Sequence, residues 1–437
     1  MTSTHAAPAP APAPGIAARS AALRILRAVR SGTTFDAALD AALAGLEDHD
    51  RRLAHEIAAG VLRSRTTLDA AITPHVHARW SRVAEDVRDI LRVGAYQLTA
   101  LERVPAYAAV QSAVDLARET HGAKTAGFAN AVLRRVAERA RAPAARAAQG
   151  GAPMDARALA KEYSHPEWLV ARWLEHYGPD RTEALLRHDN TRPTLTVRPL
   201  AWEKSRIRDS FEAAGITVED GPEPDVLIAR GARRIEDLPG FLDGGFIVQD
   251  AAQALVLAHA RVPDGAIVWD ACAAPGGKAA VLAQRCRVVA SDGSRPRTWR
   301  LTQTLERTAP SVRVAVADAS YPPLAERSVD IALVDAPCSA TGTIAKHPDA
   351  RWRLKSAAIA DLAERQRAIL DGAAATVRPG GALIYITCSL EPEENEDQVE
   401  SFLERHPDFA RDGADLAVFP TDRGTDGAFA ARLVRAQ

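Results

Sequence analysis

Five short apolar runs, Ala266–Asp270, Val288–Ser291, Val312–Val316, Ile331–Asp335 and Ala382–Thr387, recur along the C-terminal half of the chain with helical stretches or loops between them. No other feature narrows the fold as much. Strands that alternate with helices build a mostly parallel, doubly wound sheet. In such a sheet ligands sit beyond the carboxyl ends of the strands. The residues that follow each run are therefore the ones to read for chemistry.

The first run leads into Asp270-Ala-Cys-Ala-Ala-Pro-Gly-Gly-Lys278. Gly276 and Gly277 let a backbone approach a ligand closely, and the start of the following helix favours anionic groups. A phosphate-binding P-loop requires Gly-x4-Gly-Lys-Ser/Thr. Here Cys272 stands at its first glycine and Ala279 at the hydroxyl residue that would hold magnesium, so a nucleoside triphosphatase is disfavoured. The second run ends in Asp292, about 20 residues past the glycine turn, from where a carboxylate can accept hydrogen bonds from ribose hydroxyls. The third runs on into Asp318. A single acidic residue at a strand end is most often a helix cap. Two in register with a glycine turn describe a pocket for a nucleoside-bearing cofactor without a dominant phosphate.

The fourth run ends in Asp335-Ala-Pro-Cys-Ser339 and the fifth in Thr387-Cys-Ser-Leu390. Buried cysteines are mostly inert small apolar residues. Cys338 and Cys388, however, each follow a strand at its carboxyl end, and with Asp335 nearby they make nucleophilic chemistry plausible. Cys272 lies in the cofactor turn and is expected to contribute backbone rather than thiolate. Cys286, at the end of a helix without such neighbours, reads as structural. These four cysteines are too few for a disulfide scaffold in 437 residues, and no CxxC pair among them suggests zinc. No metal is expected.

The rest of the chain reads differently. Residues 6–15, AAPAPAPAPG, cannot bury a core, so 1–15 are expected to be a disordered tail. Residues 16–146 are helical in pattern, with apolar residues three and four apart in segments such as AALRILRAV and VRDILRVGAYQLTAL. Lys and Arg total 55 against 56 Asp and Glu, which speaks against a uniformly basic nucleic-acid wrapper. A local surplus nevertheless gathers between Arg118 and Arg146, either a solvated helix face or one that contacts phosphates. An Ala/Gly/Pro-rich stretch at 142–155 reads as a linker. A small α+β unit follows over 156–235, with strand-like LTVRPL and DVLIAR around a helical stretch from Lys204 to Ala214. No apolar run approaches the roughly 18 residues of a membrane helix. No Lys or Arg precedes Arg19 to mark a secretory signal, so a cytoplasmic protein is expected.

Together, DACAAPGGK, DAPCS and ITCSLEPEENE resemble the RNA cytosine-C5 methyltransferases that use S-adenosyl-L-methionine. GGFIVQDAAQ at 244–253, HPDARW at 347–352, RPGGALIY at 378–385 and DGAFAARL at 426–433 extend the likeness in order over nearly 200 residues. VPAYAAVQSAVDLA at 104–117 and GFANAVLRRV at 127–136 resemble the NusB-like RNA-binding domain. The combination is similar to the Sun/Fmu group, which modifies a cytosine in 16S ribosomal RNA. It implies a multidomain chain: an all-α NusB-like domain at 16–146, an RRM-like α+β unit at 156–235 and a Rossmann-like methyltransferase domain at 236–437. The implied partner is ribosomal RNA; the sequence does not give the oligomeric state, and a monomer is expected.

By the same resemblance Cys272, Ala273, Ala274, Pro275, Gly276, Gly277 and Lys278 line the cofactor, Asp292 holds its ribose and Asp318 lies near its adenine. Asp335 borders cofactor and base, Cys388 is the nucleophile and Cys338 the partner needed for release. Thiolate addition at C6 turns cytosine into an enamine-like species whose C5 can attack a sulfonium methyl, and a carboxyl near N3 stabilises that adduct. The target base has to be single-stranded or extruded. The sequence departs from the family at Ala340, where Gly is usual, at Ala279 and Ala280, at Pro199 and at Ala428. None of these removes a reactive group. Three alternatives stay open: a transfer RNA, 23S ribosomal RNA or DNA substrate; a binding module with vestigial catalysis; and a nucleophile at Cys338, since DNA cytosine methyltransferases attack with the cysteine of a Pro-Cys pair.

Overall fold

The computed structural model describes residues 15–141, 155–231 and 234–437, so the Pro/Ala tract before Gly15, Arg146 and nearly all of the 142–155 stretch lie outside the described residues. Two compact units emerge. One comprises the chain up to Asn190 together with His347–Arg353, the other Thr191–Lys346 and Leu354–Gln437.

The first unit is helical throughout its described residues. Helix Ile16–Arg30 buries Ala18, Ala21, Ala22, Ile25, Leu26 and Val29, the three- and four-residue spacing that gathers one apolar stripe. Helices Asp48–Arg63 and Glu85–Ala100 bury their own stripes in the same core. The stretch Ala106–Arg141 breaks at Gly122, whose φ of 82° lies in the left-handed region that glycine enters freely. Arg118, Lys124, Arg134, Arg135 and Arg139 on it are exposed, so the described part of the expected basic cluster is solvent-facing.

The HPDARW segment belongs to this helical core. Asp349 accepts a hydrogen bond from the Phe35 backbone N–H at 3.1 Å, and the Trp352 indole donates to the Leu62 carbonyl at 2.7 Å. Arg351 is fully buried and donates to Asn190 Oδ1 at 2.7 Å and to the Asp189 carbonyl at 2.8 Å. Burial lowers its pKa to about 10, with Asp189 working against the shift.

The second unit holds two sheets. Strands β1 (Leu195–Pro199), β2 (Thr217–Asp220), β3 (Leu227–Arg230) and β4 (Phe246–Val248) pair antiparallel in the order β2-β3-β1-β4. Helix Lys204–Ala213 packs on this sheet through Ile207 and Phe211. The α+β character of this region is as expected, but not its bounds of 156–235: residues 156–190 fall with the helical unit, and β4, which completes the sheet, lies beyond 235. β2 and β4 are strands that no apolar run marked: β2 buries only Val218, and β4 is three residues long.

The large sheet contains the five expected strands, β5 (Ile267–Asp270), β6 (Arg287–Asp292), β7 (Arg313–Val316), β8 (Val329–Asp335) and β9 (Val377–Thr387), all parallel and ordered β9-β8-β5-β6-β7. Three further strands, β10 (Phe409–Arg411), β11 (Leu416–Val418) and β12 (Ala428–Arg435), add an antiparallel edge, with β12 beside β9. Alternate residues serve different cores. Val268, Ile331, Leu333 and Ile384 pack on one face, and Trp269, Ala332, Val334, Leu383 and Tyr385 on the other, as a sheet covered on both sides requires. The chain runs outward from β5 to β6 and β7, then returns to β8 on the other side of β5. The order reverses between β5 and β8, and the crevice at such a reversal is where doubly wound sheets take their ligands.

Candidate active site

The turn after β5 enters this crevice. It is fixed to β6 by a hydrogen bond from Ala273 N to Ser291 O at 2.8 Å, while the Trp269 indole donates to Ser291 Oγ at 2.9 Å. Gly276 has a φ of 111°, a conformation that leaves little choice but glycine, and helix Gly277–Leu282 starts directly after it. Lys278 donates to Asp335 Oδ2 at 2.5 Å, so the end of β5 and the end of β8 are joined by an ion pair. Cys272 is packed in this turn. Burial pushes its thiol pKa up, with Asp292, Asp270 and Asp335 adding to the effect, which fits a residue that contributes backbone and not thiolate.

Three carboxylates lie around the turn in different states. Asp270 is fully buried and neither of its oxygens has a hydrogen bond. Burial raises its pKa to about 7 against the opposing charge of Lys278, and Asp335 and Asp292 raise it further. Asp292, also buried, accepts at Oδ1 from Ser294 N at 2.9 Å. Its Oδ2 pairs with Arg297 Nη2 at 3.1 Å without an aligned hydrogen bond, while that nitrogen donates to the Ala274 carbonyl at 3.0 Å. A buried carboxylate oxygen without a donor is costly unless something completes it, and a ribose hydroxyl would. Asp318 is different. It lies two residues beyond β7, is exposed, and accepts from Ser320 N at 3.0 Å and Ser320 Oγ at 2.7 Å, which lowers its pKa.

The two cysteines that close β8 and β9 converge. Cys338 Sγ lies 3.3 Å from Cys388 Sγ and accepts from the Cys388 backbone N–H at 3.4 Å. The shared hydrogen bond with Cys388 raises the Cys338 pKa, and burial and the charge of Glu394 raise it further. The geometry thus brings two thiols, a carboxylate and the glycine turn together on neighbouring strand ends. Cys286 stands apart, with its thiol directed to the Pro263 carbonyl at 3.4 Å.

The sequence reading gave no role to the residues that hold these loops. Ala340, two positions past Cys338, has a φ of 58°, so the position that departs from the family's usual glycine is in the left-handed region. Gly342 donates to the Cys388 carbonyl at 2.9 Å and accepts from Gly427 N at 2.7 Å. A Cβ on Gly342 would meet Gly427 Cα at 2.8 Å, so both glycines of this close approach are required. Lys346 pairs with Asp250 and, at 2.9 Å, with Asp426; these charges outweigh its burial and raise its pKa. Glu394 is fully buried between the cysteine loops. The only signal for it was its place in the EPEENE run, which carried no spacing rule that would single it out. Among the described residues, no group of three or more His, Cys, Asp or Glu could hold a metal ion, and no helix is long and apolar enough to cross a membrane.

Comparison with known proteins gives a consistent assignment. Residues 257–434 match a family described as 16S rRNA methyltransferase RsmB/F, residues 16–138 the NusB family, and residues 165–235 the ferredoxin-like domain of RsmF/B-like methyltransferases. Ribosomal RNA small subunit methyltransferase B of Vibrio cholerae serotype O1 is 34% identical over 95% of this chain and 96% of its own length. A probable ribosomal RNA small subunit methyltransferase B of Synechocystis is 33% identical, covering 96% of this chain and 100% of its own. Among solved structures, the protein PH0851 superposes with a TM-score of 0.80 at 26% identity, covering 97% of this chain and 99% of that one.

Proposed function

Because the chain belongs to the RsmB/F family of 16S ribosomal RNA methyltransferases, we propose that it methylates carbon 5 of a cytosine in 16S ribosomal RNA through a covalent bond between Cys388 and C6. The observation that carries this reading is the 3.3 Å approach of Cys338 and Cys388 beside Asp335, at strand ends adjoining the glycine turn. Two thiols at one base suit a reaction in which one sulfur adds and has to be released again.

S-adenosyl-L-methionine, bound in the crevice, supplies a methyl group with the electrophilic character of a sulfonium. Ala273 to Gly277 would offer backbone to it, Asp292 Oδ2 would accept a ribose hydroxyl, and Asp318 would serve the adenine side. Cys388 adds as thiolate to C6 of an extruded cytosine. The S–C6 bond forms as the C5–C6 π pair moves onto C5, and C5 takes the methyl group as the methyl–sulfur bond breaks, its electron pair leaving with the donor as the neutral thioether S-adenosylhomocysteine. Asp335, oriented by Lys278, shares at N3 the proton that the ring takes up from solvent as charge develops on it. Loss of the C5 proton to a base restores the double bond and expels the Cys388 thiolate, a step for which Cys338 is the required partner. The exposed Arg118, Lys124, Arg134, Arg135 and Arg139 provide phosphate contacts on the helical unit. The setting is cytoplasmic.

The test compares two variants on RNA that lacks the modification. Cys388→Ala should give neither methylation nor a covalent complex. Cys338→Ala should add and methylate but release slowly, leaving an RNA–protein adduct on a denaturing gel. An adduct with Cys388→Ala and none with Cys338→Ala would reverse the assignment, and no adduct in either would end the covalent reading.

A further inference from the structure

Glu394 lies between the two cysteine loops and holds both. Its Oε1 accepts from Ser339 N at 2.9 Å and from Gln366 Nε2 at 2.9 Å. Its Oε2 accepts from the Ser339 hydroxyl and, at 2.6 Å, from the Ser389 hydroxyl. Ser339 directly follows Cys338 and Ser389 directly follows Cys388. Gln366 also donates to the Pro337 carbonyl at 3.0 Å, on the other flank of Cys338. The backbone of Glu394 is fixed in turn, since the Tyr385 hydroxyl donates to its carbonyl at 2.6 Å. Four donors from three segments therefore end on one carboxylate. Burial raises the Glu394 pKa, and the bonds from Ser339, Ser389 and Gln366 work against that shift by favouring the charged form.

We infer that Glu394 is a positioning residue for the transfer: by clamping Ser339 and Ser389 it sets the separation of the two sulfurs. The inference rests on the assignment of Cys388 as nucleophile. Two facts point the same way. The loops carrying the sulfurs are 50 residues apart in sequence, and Glu394 is the side chain to which the residues after both cysteines bond. The Glu394 charge is also among the causes that hold the Cys338 pKa up. A neutral Cys338 thiol can donate to a Cys388 thiolate across the 3.3 Å gap, and it cannot itself compete for C6.

The test reads the thiols first, with neither RNA nor methyl donor present, so its outcome is separate from that of the reaction. Iodoacetamide labelling of the full chain, followed by mass spectrometry of each cysteine across pH, gives a midpoint for Cys338 and the share of label at each sulfur. Glu394→Gln keeps the shape of the clamp and an acceptor at one end, turns the other end into a donor that the serine hydroxyls can accept, and removes the charge. It should lower the Cys338 midpoint by about one pH unit or more and move label from Cys388 to Cys338. In the methylation assay the same variant should lose about tenfold in kcat with KM for RNA and donor unchanged. Glu394→Ala frees the loops and should lose about 100-fold. Should that variant fail to fold, Ser389→Ala removes one bond of the four, together with the acceptor of Glu391 N, and should lower kcat about threefold in a protein that still folds with a reduced melting temperature. A Cys338 midpoint that stays put in Glu394→Gln, or a kcat indifferent to both Glu394→Gln and Ser389→Ala, overturns the inference.

Discussion

Asp292 and Asp318 enter on equal terms from the sequence, as acidic residues after successive strands, yet their surroundings call for unequal effects on cofactor binding. Asp292 is 4% exposed, and its Oδ2 is buried without a donor. A ribose hydroxyl donating there forms a charge-assisted hydrogen bond shielded from water, worth about 1.5–3 kcal/mol. Asp292→Ala should therefore weaken binding of S-adenosyl-L-methionine by about 10- to 150-fold. Asp318 is exposed and already receives two bonds from Ser320. Solvent screening limits what a further contact adds to about 1 kcal/mol, so Asp318→Ala should cost roughly fivefold or less. Isothermal titration with the donor, and with its demethylated product, measures both. Removing Asp292 also strips the partner of Ser294 N, so the melting temperature has to be followed, and Asp292→Asn, which retains that acceptor, serves as a control. Equal losses at the two positions, or an unaltered affinity in Asp292→Ala, would refute the placement of the ribose.

Two further outcomes follow from the backbone and the buried charge. Asp270 has its pKa raised from 3.8 to about 7. An acid whose folded-state pKa lies above its unfolded value stabilises the fold fully below pH 3.8, and loses that contribution as pH climbs through 7. At about 1.4 kcal/mol per unit, wild type forfeits up to about 4 kcal/mol over this window. Asp270→Asn cannot ionise and should gain on wild type between pH 5 and pH 8 in urea unfolding; parallel curves would contradict this. At Ala340, φ of 58° costs an L-residue about 1–2 kcal/mol, of which the flexibility of glycine takes back roughly half, so Ala340→Gly should stabilise by about 0.5–1 kcal/mol. A lower melting temperature in that variant would show that the strain is absent.

The sequence by itself determined the helical N-terminal region, the five parallel strands and the list of residues that follow them. Those features rest on local periodicity and on the rule that a doubly wound sheet takes ligands beyond its strand ends, so Cys338, Cys388, Asp335 and the glycine turn could be named before any packing was known. What only the tertiary structure decided is what depends on strand order. The 3.3 Å approach of two sulfurs 50 residues apart arises because β8 and β9 are neighbours in the sheet. Glu394 reaches both loops only once β9 and the turn after it are in place, and no periodicity marks a lone glutamate in an acidic run. HPDARW reads as part of the methyltransferase motif set, yet it is buried in the helical unit, where Arg351 satisfies backbone carbonyls near its C-terminal helix. The contrast between Asp292 and Asp318 has the same origin. Burial and the direction of each donor are set by residues far along the chain, and a carboxylate's chemistry follows from those surroundings and not from its place after a strand.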